Sequence, residues 1–246
     1  MRIALLSDIH GNLEALDACL AHAAAQGAER YVILGDLVGY GADPSAVVTR
    51  VQRLAIEGAV VLRGNHDEAA VIGPHNFSRL AAIAIRWTST RLDEDELGWL
   101  GQLPFTHEEE DRLYTHSEGS DPQAWKYVLD AGDARVSLEA TEARLTFCGH
   151  THRPALFGLT ATEKLVAHRP TPGVMLPLLQ PRRWLAVMGA VGQPRDGNPA
   201  ACYGMLDTAS SELAWMRVPY DIGAAAAKIR AAGLPEMLAE RLFTGE

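Results

Sequence analysis

Three short apolar runs, separated by two amphipathic helical segments, dominate the first quarter of this 246-residue chain. Residues 3–6, 31–34 and 59–62 have the length and composition of buried strands, because each run is apolar and stops at polar residues or glycine. The two segments between them carry apolar residues at helical spacing and end at Gly27 and Gly58, where a glycine commonly terminates a helix. Alternating strands and helices predict right-handed crossovers and a largely parallel sheet.

The rest of the chain predicts more helices and then strands of a different kind. We expect helices at 78–87, 94–100, 123–129, 224–232 and 235–243, and strands at 113–115, 145–148, 184–188, 201–207 and 212–218. The last three strands are separated by turn residues and therefore predict antiparallel hairpins. Because no repeat or long linker interrupts the chain, we expect one domain over residues 1–246.

The composition excludes several classes of protein. With 22 Lys and Arg against 31 Asp and Glu, the net charge of −9 disfavours partners such as nucleic acid or an anionic membrane surface. An apolar content of 48% argues against disorder. The three cysteines form no CxxC pair, and no signal segment or long apolar stretch is present, so we expect a cytoplasmic protein without disulfides.

Polar residues cluster where the predicted strands end. They are Asp8, His10, Asp36, Asn65, His66, Asp67, His116, His150 and His152. Because the carboxyl ends of strands line the ligand crevice of an α/β sheet, five separate segments would bring these residues together. Carboxylate and amide oxygens combined with neutral imidazoles are typical ligands of Mn, Fe, Zn or Co. Each Asp-x-His or His-x-His pair beside a strand would also point both side chains the same way.

These residues predict a centre with two metal ions. Such ions lie about 3.5 to 4 Å apart and need a bridging ligand, for which Asp36 is the natural candidate. Two metals lower the pKa of a bridging water, so that the resulting hydroxide can attack a phosphoryl group held between them. His66 could then supply a proton to the leaving group, since it follows Asn65 without being a ligand itself.

The motifs Asp8-Ile9-His10, Gly35-Asp36, Gly64-Asn65-His66-Asp67 and Gly149-His150-Thr151-His152, with His116 between the last two, resemble the calcineurin-like metallophosphoesterase superfamily in matching order. GDLVGYG from Gly35 and AVGQPRDGNP from Ala190 are most similar to its small bacterial phosphodiesterase-like branch. The resemblance implies a four-layer α-β-β-α sandwich with two mixed β-sheets and a dinuclear metal site at the strand ends. It implies that one metal ion takes Asp8, His10, Asp36 and His152, and that the other takes Asp36, Asn65, His116 and His150. His66 matches the catalytic histidine, and Asp67 its neighbour outside the metal ligands.

The chain departs from parts of the family pattern. Protein phosphatases and symmetrical dinucleoside tetraphosphatases of the superfamily carry GDxxDRG, whereas Gly39 and Tyr40 stand here in place of the Asp and Arg. Arg195 or Tyr40 would then have to bind the phosphate. Asn12 is a candidate either for a substrate contact or for a helix cap.

We therefore expect a metal-dependent phosphoesterase that hydrolyses a small organic phosphate, either a phosphodiester or a nucleotide, with two ions of Mn, Fe or Zn. The alternatives within the superfamily are a phosphomonoesterase and a nuclease, although no cluster of Lys and Arg favours the nuclease. A non-catalytic metal-binding scaffold is the alternative from another class. Neither the physiological substrate nor the oligomeric state follows from the sequence.

Overall fold

Two six-stranded β-sheets packed face to face form the centre of the protein, and the computed structural model describes all 246 residues. The strands are β1 (Arg2–Leu6), β2 (Arg30–Ile33), β3 (Val60–Val61), β4 (Thr106–Glu109), β5 (Arg112–Thr115), β6 (Leu145–Cys148), β7 (Ala155–Leu159), β8 (Leu165–His168), β9 (Leu176–Pro177), β10 (Arg183–Val187), β11 (Ala201–Asp207) and β12 (Glu212–Val218). The helices are α1 (Leu13–Ala25), α2 (Pro44–Ile56), α3 (Asn65–Ile72), α4 (Arg79–Ser89), α5 (Glu94–Gln102), α6 (Ala131–Glu139), α7 (Ile222–Ala231) and α8 (Glu236–Thr244).

Both sheets are mixed. The first sheet has the order β3-β2-β1-β11-β12-β9, in which β1, β2 and β3 are parallel and β11 runs antiparallel to β1. The second sheet has the order β4-β5-β6-β10-β7-β8, in which β5, β6 and β10 are parallel. A block of parallel strands in each sheet therefore directs its carboxyl ends to one edge, as the strand-helix alternation predicts for the first sheet.

The alternation of side chains along β1 shows how the layers are built. Ile3 and Leu5 belong to the apolar core between the two sheets, which also contains Trp215. Ala4 and Leu6 point to the other face, where they pack with α1 and α2. On the outer face of the second sheet, α6 packs against β7 and β10. The order of layers is thus helix, sheet, sheet, helix, and the four-layer sandwich is confirmed.

One predicted element and one predicted strand pairing are wrong. Residues 123–129 do not form a helix: only Pro122–Ala124 make a 3-10 turn, and Trp125 beyond it has a left-handed backbone with φ of 52°. The run 184–188 does not form a hairpin with the next strand, because β10 lies in the second sheet beside β6 and β7. By contrast, β11 and β12 do form the expected antiparallel pair.

The three cysteines are free and buried. Burial raises the pKa of all three thiols, which keeps them protonated. None of the helices combines the length and the apolar character needed to span a bilayer.

Candidate metal centre

The loops that follow five strands bring the predicted site residues to one edge of the sandwich. The loops after β1 and β2 carry Asp8, His10 and Asp36, and Asn65 begins α3 after β3, all from the first sheet. The second sheet contributes His116 after β5, with His150 and His152 after β6. All seven side chains are buried. The centre is therefore assembled across the seam between the two sheets.

Two groups of buried side chains meet at this seam and share Asp36. They are Asp8, His10, Asp36 and His152 in the first group, and Asp36, His116 and His150 in the second. Within each group the possible ligand atoms lie within 4.8 Å of one another. Asp36 Oδ2 lies 3.5 Å from His10 Nε2 and 3.4 Å from His116 Nε2, so one carboxylate faces both groups. A ligand that bridges two metal ions must occupy such a position.

Asn65 completes the second group with an oxygen atom. Its Oδ1 lies 3.2 Å from His116 Nε2. The loop that carries it approaches the Asp36 loop so closely that a Cβ at Gly64 would overlap the Asp36 backbone and carboxylate. The backbone N–H of His66 donates to Asp36 Oδ1 at 2.8 Å, which fixes the carboxylate from the same side. Glycine before Asn65 is therefore required by the close approach of the two loops.

Hydrogen bonds to carbonyl groups orient each histidine of the centre. The contacts are His10 Nδ1 with Val38 O at 3.1 Å, His116 Nδ1 with Leu34 O at 2.8 Å, His152 Nδ1 with Gln193 O at 2.6 Å and His150 Nε2 with Trp125 O at 2.9 Å. Since a carbonyl oxygen only accepts, the ring nitrogen facing it carries a proton, and the other nitrogen presents a lone pair to the centre once it is deprotonated. His10 Nε2 and His152 Nε2 lie 3.1 Å apart. Two converging lone pairs beside Asp8 and Asp36 fit a metal cation.

Burial and neighbouring charges shift the pKa values of the side chains at this centre. Burial lowers the pKa of His150 to about 3, so this imidazole is neutral, as metal ligation requires. Burial raises the pKa of Asp8 to about 7. At His116 burial opposes the charged form, but Asp36 outweighs it and raises the pKa to about 9. Carboxyl groups and imidazoles are thus packed close together. A bound cation would lower the pKa of the neighbouring carboxyl groups and so favour their charged form.

The backbone around the centre is strained. Asp8, His10, Asp36, His150 and His152 all have φ between 51° and 62°, in the left-handed region that residues other than glycine rarely adopt. The expected explanation for the two i, i+2 pairs is therefore wrong. Both pairs lie in left-handed loops beyond the strands, so the strand pleat does not set their direction. Strain of this kind clusters at functional sites, where the surrounding fold holds it in place.

His66 is buried beside the centre and is held by aromatic rings. Its ring centroid lies 4.5 Å from that of Tyr40, 4.8 Å from that of His10 and 5.1 Å from that of Phe77. Its Nδ1 is buried without a hydrogen-bond partner. Gly39 packs against this atom so closely that a Cβ there would overlap it, and its φ of 89° disfavours any other residue. The Asp of GDxxDRG therefore has no room here, and aromatic packing replaces it.

Asp67 connects two loops of the centre. Its Oδ1 accepts hydrogen bonds from the backbone N–H groups of Leu37 and Val38, at 2.8 and 3.2 Å. Its Oδ2 accepts from Gly64 N–H at 2.9 Å. The carboxylate thus ties the loop of Asp36 to the start of α3, and lies outside both groups of possible ligands.

The three residues predicted to contact substrate have different surroundings. Arg195 lies over Tyr40, with its guanidinium carbon 5.6 Å from the ring centroid, and its Nε is buried without a partner. Asn12 uses both ends of its amide: Oδ1 accepts from Ala15 N at 3.1 Å, and Nδ2 donates to Gly192 O at 2.9 Å. This geometry favours the cap interpretation of Asn12.

Sequence reasoning missed three aromatic residues at the centre. Tyr127 stacks on His150 at a centroid distance of 4.0 Å and is 46% exposed. Trp125 contacts His116 edge to face and supplies the carbonyl that orients His150. Phe77 packs on His66. All three come from loops without a motif, and no pattern in the sequence points to them.

Comparison with known proteins gives consistent results. The model of the calcineurin-like phosphoesterase superfamily domain matches residues 1–211. An uncharacterised protein from Methanocaldococcus jannaschii is 36% identical over 250 residues, which cover 99% of this chain and 98% of that protein. A crystal structure of a metallophosphoesterase from Sphaerobacter thermophilus is 35% identical, with a TM-score of 0.89 over 100% of both chains. A structure from Pyrococcus horikoshii shares the fold at 18% identity, with a TM-score of 0.81 over 100% of this chain and 98% of that one.

Proposed function

The chain belongs to the calcineurin-like phosphoesterase superfamily, and on that premise we propose that it hydrolyses a small phosphodiester or nucleotide at the centre around Asp36. As a metallophosphoesterase it is a hydrolase of phosphoric ester bonds. The observation that carries the proposal is the single carboxylate of Asp36, which faces two groups of buried ligands beside His66.

The proposed ligand sets follow the two groups. Asp8, His10, Asp36 and His152 would hold one metal ion, and Asp36, Asn65, His116 and His150 would hold the other. When bound, the ions supply Lewis acidity toward the phosphoryl oxygens and activate water as a nucleophile at neutral pH. The mixture of oxygen and imidazole donors suits Mn, Fe or Zn.

His66 is the proposed catalytic residue. Its ring is fixed by Tyr40, His10 and Phe77, and it is the one histidine of the centre outside both ligand groups. From there it donates a hydrogen bond to the leaving-group oxygen as negative charge develops on it. Replacing His66 with Ala should therefore slow hydrolysis of an alkyl ester more than hydrolysis of a nitrophenyl ester, whose leaving group is stable as an anion. Equal losses for the two esters would contradict this role.

Arg195 is the proposed phosphate-binding residue. Its guanidinium lies over Tyr40 and is held by a hydrogen bond from Nη2 to Gln193 Oε1 at 3.0 Å. A guanidinium binds phosphate oxygens in a bidentate geometry, which would orient the substrate without taking part in the chemistry. Tyr40 lies between Arg195 and His66 and would set their separation.

A small diester or nucleotide fits the charge of the chain better than the alternatives. The net charge of −9 disfavours binding along an extended nucleic-acid backbone, which a nuclease would need. A scaffold would have no physical reason to keep seven buried ligand-type side chains and His66 together.

Metal reconstitution tests the proposal. Metal-stripped protein is supplied in turn with Mn, Fe, Zn, Co or Mg, and turnover is measured on bis(p-nitrophenyl) phosphate and p-nitrophenyl phosphate. We expect a transition metal to restore activity, with faster turnover of the diester. Asp36→Asn should lower the number of bound ions and abolish turnover, whereas Asp17→Asn on α1, whose side chain pairs with Arg50 outside both ligand groups, should change neither. Faster turnover of the monoester would support a phosphatase, and two bound ions without any turnover would support a scaffold.

A further inference from the structure

A large cleft adjoins the metal centre and is lined by residues from both sheets. It encloses about 910 Å³ and is lined by four arginines, Arg153, Arg169, Arg195 and Arg217. This volume exceeds what a free inorganic anion needs and lies within the range of pockets that hold nucleotide-sized ligands. In a chain with a net charge of −9, four arginines in one cleft are a local reversal of charge.

The cleft and the centre share a wall. Thr151 lines the cleft and lies between His150 and His152 of the centre. Arg195 N–H donates to His152 O at 3.3 Å, and the Arg195 side chain both lines the cleft and covers Tyr40. A substrate whose reacting phosphate lies at the centre can therefore extend past Arg195 into the cleft.

The acidic residues of the cleft leave most of this positive charge uncompensated. Of the four arginines, only Arg217 forms an ion pair, with Asp196. Arg153 donates from Nε to Arg195 O at 2.7 Å, which leaves the outer nitrogens of its guanidinium available. Arg169 is exposed, and Glu246 is the remaining acidic side chain of the lining. Three arginines without an ion pair thus line the cleft together with one acidic side chain that is not paired with Arg217.

The loop that carries Arg195 is firmly held. Arg217 is 10% exposed and also donates to Ala200 O at 3.1 Å, while Gly197 N–H donates to Gly245 O at 2.9 Å. Arg195 Nη2 donates to Gln193 Oε1 at 3.0 Å, which holds its guanidinium, while the outer guanidinium nitrogens of Arg153 and the Arg169 guanidinium have no protein partner. A preorganised guanidinium cluster with free donors is the arrangement that binds phosphate oxygens.

We propose that this arginine-lined cleft binds a second phosphate group of the substrate, so that the preferred substrate is a phosphodiester that bears an additional phosphomonoester. The inference rests on the proposed function, because it places the scissile phosphate at the metal centre. Arg195 contacts the scissile end, and Arg153 and Arg169 contact the distal phosphate.

Two chromogenic substrates that differ by one phosphate test this. They are thymidine 5′-(p-nitrophenyl phosphate) and the same compound with a 3′-phosphate. For the metal-loaded protein we expect kcat/KM at least tenfold higher for the 3′-phosphorylated compound. In the Arg153→Ala/Arg169→Ala variant the ratio should fall to about one, and the exposed Arg53→Ala on α2 should keep it. Arg169→Glu should lower the ratio further than Arg169→Ala, which a merely structural role of Arg169 would not produce.

Direct binding separates this inference from the proposed function. The affinities of thymidine 3′,5′-bisphosphate and thymidine 5′-monophosphate for the metal-loaded protein are compared by calorimetry. A preference of tenfold or more for the bisphosphate that is lost in the double variant would support phosphate binding in the cleft. Absence of hydrolysis of either ester would contradict only the proposed function and would leave this binding result standing. Equal affinities, or a preference that survives the double variant, would overturn the inference.

Discussion

Replacement of Asn12 should reduce stability and leave substrate affinity unchanged. Asn12 is 4% exposed; its Oδ1 caps α1 through Ala15 N–H, and its Nδ2 donates to Gly192 O. Loss of the cap costs about 1 kcal/mol. Loss of the buried amide donor adds about 1 to 3 kcal/mol, because the carbonyl is left unsatisfied. Asn12→Ala should therefore lower the free energy of unfolding by about 2 to 4 kcal/mol.

A series of variants assigns this loss to its two parts. Asn12→Ser keeps an oxygen that can cap the helix and removes only the amide donor, so it should lose about 1 to 3 kcal/mol. The measurement is urea unfolding of the metal-loaded protein, in which a loss of about 3 kcal/mol corresponds to a midpoint lower by about 1 M. KM for the diester should stay within twofold of the wild type in both variants. An unchanged midpoint combined with a tenfold rise in KM would refute this reasoning and assign Asn12 to the substrate.

Three further outcomes are expected. Chelation of the metals should lower the thermal midpoint by about 5 to 10 °C, because metal present at about 100 times its Kd adds about 2.7 kcal/mol. Scanning calorimetry with and without chelator measures this shift, and an unchanged midpoint would contradict metal binding at the centre. Metal affinity should rise with pH between about 6 and 9. The reason is that the pKa of His116 is raised to about 9, so its proton must leave before the ring can bind a metal ion. Metal titrations at several pH values measure this, and an affinity that does not change with pH would contradict it. Gly39→Ala should reduce kcat and leave the metal content nearly unchanged, because a Cβ at this position overlaps His66 Nδ1. The matched control Gly98→Ala, at an exposed position where a Cβ has no neighbour within 4 Å, should preserve kcat.

The sequence predicts those parts of the fold and site that depend on local pattern. Apolar runs locate β1, β2 and β6, and each metal motif lies directly after such a run. Asp36 could be singled out because a lone carboxylate in a strand-end turn suits a bridging position. Its placement between His10 and His116 agrees with that expectation, while its role as a ligand stays a prediction.

Features that depend on contacts distant in sequence could not be predicted. The strand at 184–188 gives no local sign that it belongs to the second sheet, because its partners β6 and β7 lie far earlier in the chain. Tyr127 reaches His150 through a loop in which an expected helix is absent. The left-handed backbone of Asp8 is equally invisible, because aspartate seldom adopts it and only the packed sheets stabilise it.

The strand order makes the final third of the chain indispensable to a set of proposed metal ligands that it does not supply. Every proposed metal ligand precedes Arg153, yet β11 is the neighbour of β1 in the first sheet and β10 is the neighbour of β6 in the second. A fragment that ended at residue 153 would hold every proposed metal ligand while exposing an unpaired edge on β1 and on β6. Such a fragment would satisfy a motif search and would still lack a metal centre. For this architecture, possession of the signature residues and possession of the site are separate properties.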